Sequence, residues 1–278
     1  KILAAAWNVG IKVGKGDIMV SLNAHATIEP KFVTKCVHYL REYDADCVGP
    51  VLETEPQEET AVGDAIAVAM AHPFGVGGSR FRIGITTPQW VDTVHCGACR
   101  REIFDRVGVY NEELVRSQDI ELHIRMKSAG VKILLVPDIT MTYYTRSAPR
   151  KFVRYGFLNG FWVTYPFRFG AVAARLRHMV PMVFVSGIVG LALLSVPVPA
   201  FKYVVLSILA LYGAAALTAS LMATFEHHKA QLAVLLPLIF ATYHTTYGIG
   251  SIVGLLRAFA SWRFWRSLPA MSALSLSR

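Results

Sequence analysis

The run Gln118-Asp119-Ile120-Glu121-Leu122 places a carboxylate two residues after Ser117, which suits the cap of a helix extending to Ala129. At such a position the helix dipole favours the charged form of Asp119, the form that can take a proton from a hydroxyl. Asn23-Ala24-His25 follows an apolar stretch, 17–22, that reads as a buried strand. Ligands of α/β sheets bind at the carboxyl ends of strands, and there this tripeptide offers an amide and an imidazole. Arg80 and Arg82 lie in a stretch rich in Gly, Pro and Arg, 73–88, read as a mobile loop whose guanidiniums could close over a diphosphate. A lone Gly-x-Gly such as Gly75-Val76-Gly77 is more often only a turn. Cys96-Gly97-Ala98-Cys99 has the spacing of a redox or zinc pair, with Cys36 and Cys47 as conceivable further ligands. No second close pair exists, so that reading is set aside. The cysteines are expected to be reduced, in a cytoplasmic setting that demands no disulfide.

The elements that must position these groups alternate. A helix over 1–12 closes at Gly14 and Gly16; a strand precedes Asn23; Thr27 is placed to cap a helix with Pro30 in its first turn. Further strands are predicted at 47–51, 90–94 and 132–136, and further helices at 60–71 and 100–107. Alternating β and α units imply an α/β fold with a mixed, mostly parallel sheet.

Composition divides the chain. Of 278 residues, 54% are hydrophobic, and no Asp, Glu, Lys or Arg occurs in 179–201, 203–225 or 230–256. Each run exceeds the roughly 20 residues that a spanning helix needs. The net charge of +9 suggests nucleic acid only until it is located: 144–278 carries +12 and 1–143 carries −3. Basic residues flank the apolar runs, as expected beside an anionic bilayer surface, so nucleic acid is not an expected partner. Between them, 146–178 mixes Phe152, Tyr155, Phe157, Phe161, Trp162 and Tyr165 with Arg150, Lys151, Arg154 and Arg168, a composition suited to the headgroup layer. The expected divisions are 1–145, an interfacial segment at 146–178, three membrane helices in 179–256 and a basic tail at 257–278. Pro197, Pro199 and Lys202 make the first run a candidate re-entrant hairpin. His244 and Tyr247, in the last run, are expected to bond between helices.

Several blocks in order carry a resemblance: Asn8-Val9-Gly10-Ile11 through Gly16-Asp17-Ile18, Asn23-Ala24-His25, Pro73-Phe74-Gly75-Val76-Gly77, Val91-Asp92-Thr93, Gly97-Ala98 with Arg100-Arg101-Glu102, Gln118-Asp119-Ile120-Glu121-Leu122 and Tyr144-Thr145-Arg146-Ser147. By these the chain resembles family 2 glycosyltransferases of the membrane-bound, exopolysaccharide (succinoglycan) type. The resemblance implies a GT-A fold, incomplete at its start by about one nucleotide-binding βαβ unit, and inverting transfer from a nucleotide-sugar donor to a lipid-linked saccharide acceptor. It implies Asp119 as general base, Mg²⁺ or Mn²⁺ at Asn23 and His25, and donor diphosphate at Asn23, His25, Arg80 and Arg82. The acceptor would be met by Asp92, His95, Arg100, Arg101, Glu102, Gln118, Arg146 and Arg154. Asn23 stands where the family pattern has Asp, which removes one negative charge from any metal site. For Arg100, Arg101 and Glu102 surface salt bridging is the competing role, and for Arg146 and Arg154 membrane anchoring. The expected location is the cell membrane, multi-pass, with the transfer domain in the cytoplasm. A silent glycosyltransferase-like scaffold is the alternative; a transporter lacks intramembrane charges.

Overall fold

Short apolar runs broken by Gly and polar turns fold into one sheet between helices, and the computed structural model describes residues 2–261. Lys1 and most of the expected basic tail, including Arg263 and Arg266, lie outside the described residues. The order is α1 (Leu3–Val13), β1 (Ile18–Ser21), β2 (Ala26–Ile28), α2 (Phe32–Glu42), β3 (Cys47–Pro56) and α3 (Ala61–Ala71). Two single turns, α4 (Pro73–Val76) and α5 (Arg80–Ile83), lead to β4 (Gln89–Trp90), β5 (Gly97–Arg100), α6 (Glu102–Val107), α7 (Gln118–Ser128) and β6 (Ile133–Thr145). Then come α8 (Pro149–Thr164), a 3-10 turn (Tyr165–Phe169), α9 (Leu176–Leu194), α10 (Ala200–His227) and α11 (Leu232–Phe259).

The six strands form a mixed sheet in the order β1-β5-β3-β6-β2, with β4 also on β6. The α/β class is as expected, but the sheet is not mostly parallel: among the described residues β3 and β6 alone run parallel, and the other pairings are antiparallel. Two short strands account for the difference. Thr27 does not cap a helix; it pairs with Thr142 in β2, and α2 starts at Phe32. Gly97–Arg100 forms β5 between β1 and β3. Gly97 is required there, because its φ is +118° and a Cβ would lie 2.2 Å from the Val48 carbonyl oxygen.

The β5–β3 register sets Cys99 directly opposite Cys47, and a disulfide joins them, which corrects the expectation of unpaired thiols. Cys36 is buried and Cys96 free, so the four cysteines do not converge. Stretch 73–88 is two ordered turns and not a loose loop: the Phe74 ring packs 5.0 Å from that of Phe240 on α11.

One face of the sheet packs on α2 through Phe32, Cys36 and Leu40, and the other on α6 and α7 through Ile103, Leu122 and Met126. A third cluster joins α3 to the apolar helices: Ile66, Met70, Phe152, Tyr155, Ala219, Leu236 and Phe240 are buried together. The aromatic face of α8 therefore packs into protein, while Arg150, Lys151 and Arg154 point outward. Glycines let α8 and α11 touch backbone to backbone. A Cβ on Gly160 would lie 1.9 Å from the Tyr247 carbonyl oxygen, and one on Gly250 2.1 Å from that of Phe157. Thr164 Oγ1 donates to the Ser251 carbonyl at 2.7 Å, and Ser251 Oγ to that of Gly160 at 3.2 Å.

Helices α9, α10 and α11 are long and apolar enough to cross a membrane. They expose large apolar side chains, such as Leu176 at 87% and Phe225 at 76%. The first uncharged run is split, since α9 ends at Leu194 and α10 starts after Pro199. His244 bonds between helices as expected, with Tyr212 Oη 2.9 Å from its Nδ1.

Candidate active site

A cavity of about 750 Å³ lies between the sheet's strand ends and helices α8 to α11. The turn after β1 supplies Asn23 and His25, the approach to β5 supplies His95 and Cys96, the start of α7 supplies Gln118 and Asp119, and the end of β6 supplies Tyr143 and Arg146. α5 adds Arg82, and the loop before α7 adds Arg116.

Asp119 stands in the first turn of α7, and the loop that carries it is pinned by α1. Asn8 Nδ2 donates to the Tyr110 carbonyl at 2.8 Å, Asn8 Oδ1 accepts from the Tyr110 N–H at 2.9 Å, and the Trp7 and Tyr110 rings lie 4.8 Å apart. The expected Ser117 cap is absent: Ser117 is left-handed (φ +60°) and its side chain caps nothing, so the turn is set by backbone conformation. Gln118 is buried, and its Oε1 has no hydrogen-bond partner.

His25, His95 and His123 line the cavity as neutral rings. Burial pushes His95 down to about 3, with Arg82, His25 and His123 adding to the effect. Burial also lowers His123. Partial burial, then Arg146 and Arg82, lowers His25. The thiol of Cys96 is pushed up to about 12 by burial and then by the charge of Asp119, so it is no thiolate.

The donors expected to hold a divalent ion are Asn23, a neutral amide, and His25, an imidazole whose nearest charges are guanidiniums. Among the described residues no three His, Cys, Asp or Glu side chains converge on a point. That donor set, uncharged and flanked by cations, does not by itself fit Mg²⁺ or Mn²⁺. It suits an anion.

Among the described residues four arginines line the cavity, Arg82, Arg116, Arg146 and Arg177, the last paired with Asp92, against one carboxylate, Asp119. Arg82 lies 4.9 Å from the centre of the Tyr143 ring, and its buried Nη1 has no partner. Arg146 lies 4.2 Å from the centre of Tyr155, and Arg116 6.0 Å from the same ring while donating to Asn159 Oδ1 at 3.0 Å. Arg116, Tyr155 and Asn159 escape sequence reading because the cavity arises only when α8 folds back against the sheet.

Six expected site residues do not reach the cavity. Arg100 donates to the Ala45 and Leu40 carbonyls at 3.0 Å each, closing the end of α2. Arg101 does the same for α1 through the Ile11, Gly14 and Gly16 carbonyls. Glu102 lies exposed in the first turn of α6, where the helix dipole favours it. Asp92 pairs with Arg175 at 2.5 Å and Arg177 at 3.2 Å, tying β4 to the start of α9. Arg80 donates to Gln89 at 2.5 Å, and Arg154 is exposed on α8. Arg80, Asp92, Arg100 and Arg101 are strong hydrogen-bonding groups used to hold elements together.

Residues 2–108 match the family model described as glycosyl transferase family 2. The chain is 30% identical over 149 residues to the succinoglycan biosynthesis protein ExoA of Rhizobium meliloti (strain 1021), covering 53% of this chain and 44% of that protein. It is 24% identical over 184 residues to the dolichyl N-acetyl-alpha-D-glucosaminyl phosphate 3-beta-D-2,3-diacetamido-2,3-dideoxy-beta-D-glucuronosyltransferase of Methanococcus voltae, covering 59% and 56%. The chain thus spans about half the length of the curated relatives it matches.

Proposed function

We propose, from the match of residues 2–108 to the glycosyl transferase family 2 model, that the chain moves a sugar from a nucleotide-sugar donor to a lipid-linked saccharide at a membrane, inverting the anomeric centre. The observation that carries the proposal is one cavity holding Asp119 and four arginines between the sheet and the apolar helices. Exopolysaccharide or cell-envelope glycan synthesis is the setting that the relatives' names support.

In this reading Asp119 accepts the proton of the acceptor hydroxyl while that oxygen attacks the anomeric carbon. The bond from that carbon to the donor's diphosphate breaks, and the nucleoside diphosphate leaves with the electron pair. Guanidiniums in a site this poor in carboxylates offset phosphate charge there. No step here runs through a divalent ion. Helices α9 to α11 anchor the domain by their apolar surfaces, with basic residues at the cytoplasmic face.

The test is incubation of membranes containing the full-length protein with radiolabelled nucleotide sugars, followed by extraction of lipid. Label in the lipid fraction that Asp119→Asn prevents supports transfer. Absence of label with every donor would leave the silent scaffold.

A further inference from the structure

The cavity has two kinds of lining. Near Asp119 it is polar; away from it, Pro181 and Phe184 of α9, Tyr212 of α10 and Tyr247 of α11 line the same space among the candidate spanning helices. Arg82, Arg116 and Arg146 line the same cavity, grouped around Tyr143 and Tyr155. A guanidinium over an aromatic face is held by that face, and its in-plane N–H groups stay free for other acceptors. Among the described residues none of the three has a carboxylate partner, Arg82 Nη1 is buried without any partner, and the only carboxylate lining the cavity is Asp119. Partly buried cations with no counter-charge beside them favour an anion.

Resting on the glycosyl-transfer reading, we infer that Arg82, Arg116 and Arg146 bind the phosphate of the lipid-linked acceptor, and not the donor's diphosphate, with the first part of its hydrocarbon chain lying along Pro181, Phe184 and Tyr212. The two linings match the two parts of one amphiphile: a phosphate seated on the arginines would have its chain directed into the apolar lobe and its sugar toward Asp119. A nucleotide diphosphate has no apolar part to fill that lobe. This moves Arg82 from the donor side, where the Gly-rich stretch suggested it, to the acceptor side, and it assigns Arg116, which no motif marks.

The test is direct binding to the purified full-length protein in detergent, which needs no turnover and so stands apart from the question of whether sugar is transferred. The probes are a short polyprenyl phosphate, the matching polyprenyl alcohol and inorganic phosphate. Wild-type protein is expected to bind the polyprenyl phosphate at least about tenfold more tightly than either of the others, since each lacks one of the two contacts. Arg116→Gln and Arg82→Gln are each expected to weaken polyprenyl phosphate binding about tenfold, the loss of one charge-assisted contact, and leave binding of the alcohol unchanged. Arg154→Gln, on the outer face of α8, is expected to change nothing. Arg116→Gln is the decisive variant if burial of Arg82 makes its replacement misfold. Equal binding of inorganic phosphate would overturn the lipid half of the inference. Unaltered polyprenyl phosphate binding by folded Arg116→Gln would overturn the phosphate half, as would a KM rise confined to the nucleotide sugar.

Discussion

Asn23 Nδ2 lies 2.9 Å from Nε2 of His95. The amide N–H donates to that nitrogen, so the ring carries its proton on Nδ1 and is neutral. This one contact fixes the tautomer of His95 and turns the Nδ2 side of the Asn23 amide toward that ring.

Stability should therefore fall in mild acid. His95 is held at about 3 in the folded chain against 6.5 for the free ring. Between those values the unfolded state binds a proton that the folded state refuses, so stability is lost as pH falls from 6.5, at about 1.4 kcal/mol per pH unit for one such group. His123 and His25 are shifted in the same direction. Thermal unfolding in detergent should show a lower midpoint at pH 5 than at pH 7.5, and His95→Gln should lessen the difference. A midpoint insensitive to pH over that range would contradict the assignment.

Transfer should survive chelation. With neutral donors at Asn23 and His25 beside Arg82 and Arg146, membranes treated with EDTA are expected to keep most of their activity, whereas Asn23→Asp should create a dependence on added Mn²⁺. Loss of wild-type transfer in EDTA that Mn²⁺ restores would reverse this account.

Asp119→Asn removes the proton acceptor and little volume. Transfer is expected to fall about 100-fold or more, with membrane insertion and thermal midpoint unchanged. Turnover within a few fold of wild type would remove Asp119 from the mechanism.

How much of this was legible in the residues differs from element to element. Apolar runs revealed the strands β1 and β3 and the three long helices, because length and period alone specify them. The Gln118-Asp119 block and the Asn23-Ala24-His25 turn were legible too, and both line the cavity. β2 and β5 were not, because strands of three and four residues carry no period of their own and exist through partners distant in sequence. Arg100 and Arg101 misled for a physical reason: a guanidinium that caps helix carbonyls and one that grips a phosphate use the same donors, and spacing does not distinguish them. Asp92 failed similarly, its partners Arg175 and Arg177 lying more than eighty residues away.

The α8–α11 seam allows a last prediction. Gly160→Val would drive a side chain into the Tyr247 carbonyl, 1.9 Å from where its Cβ must stand. Overpacking of this kind costs about 1–3 kcal/mol, and here the obstruction is backbone. A clearly lowered thermal midpoint is expected, with Gly190→Ala on α9, where a Cβ meets nothing within 4 Å, as a near-neutral control. Equal midpoints for the two variants would show that the helices part without cost.

Because Ile66 and Met70 of α3 share their packing with Phe152, Leu236 and Phe240, the sheet-bearing half has no water-facing underside of its own. Expressed alone to Thr145, it would present that apolar floor to solvent and self-associate. The apolar helices are thus a condition for the sheet-bearing half to fold correctly, and not merely its mooring.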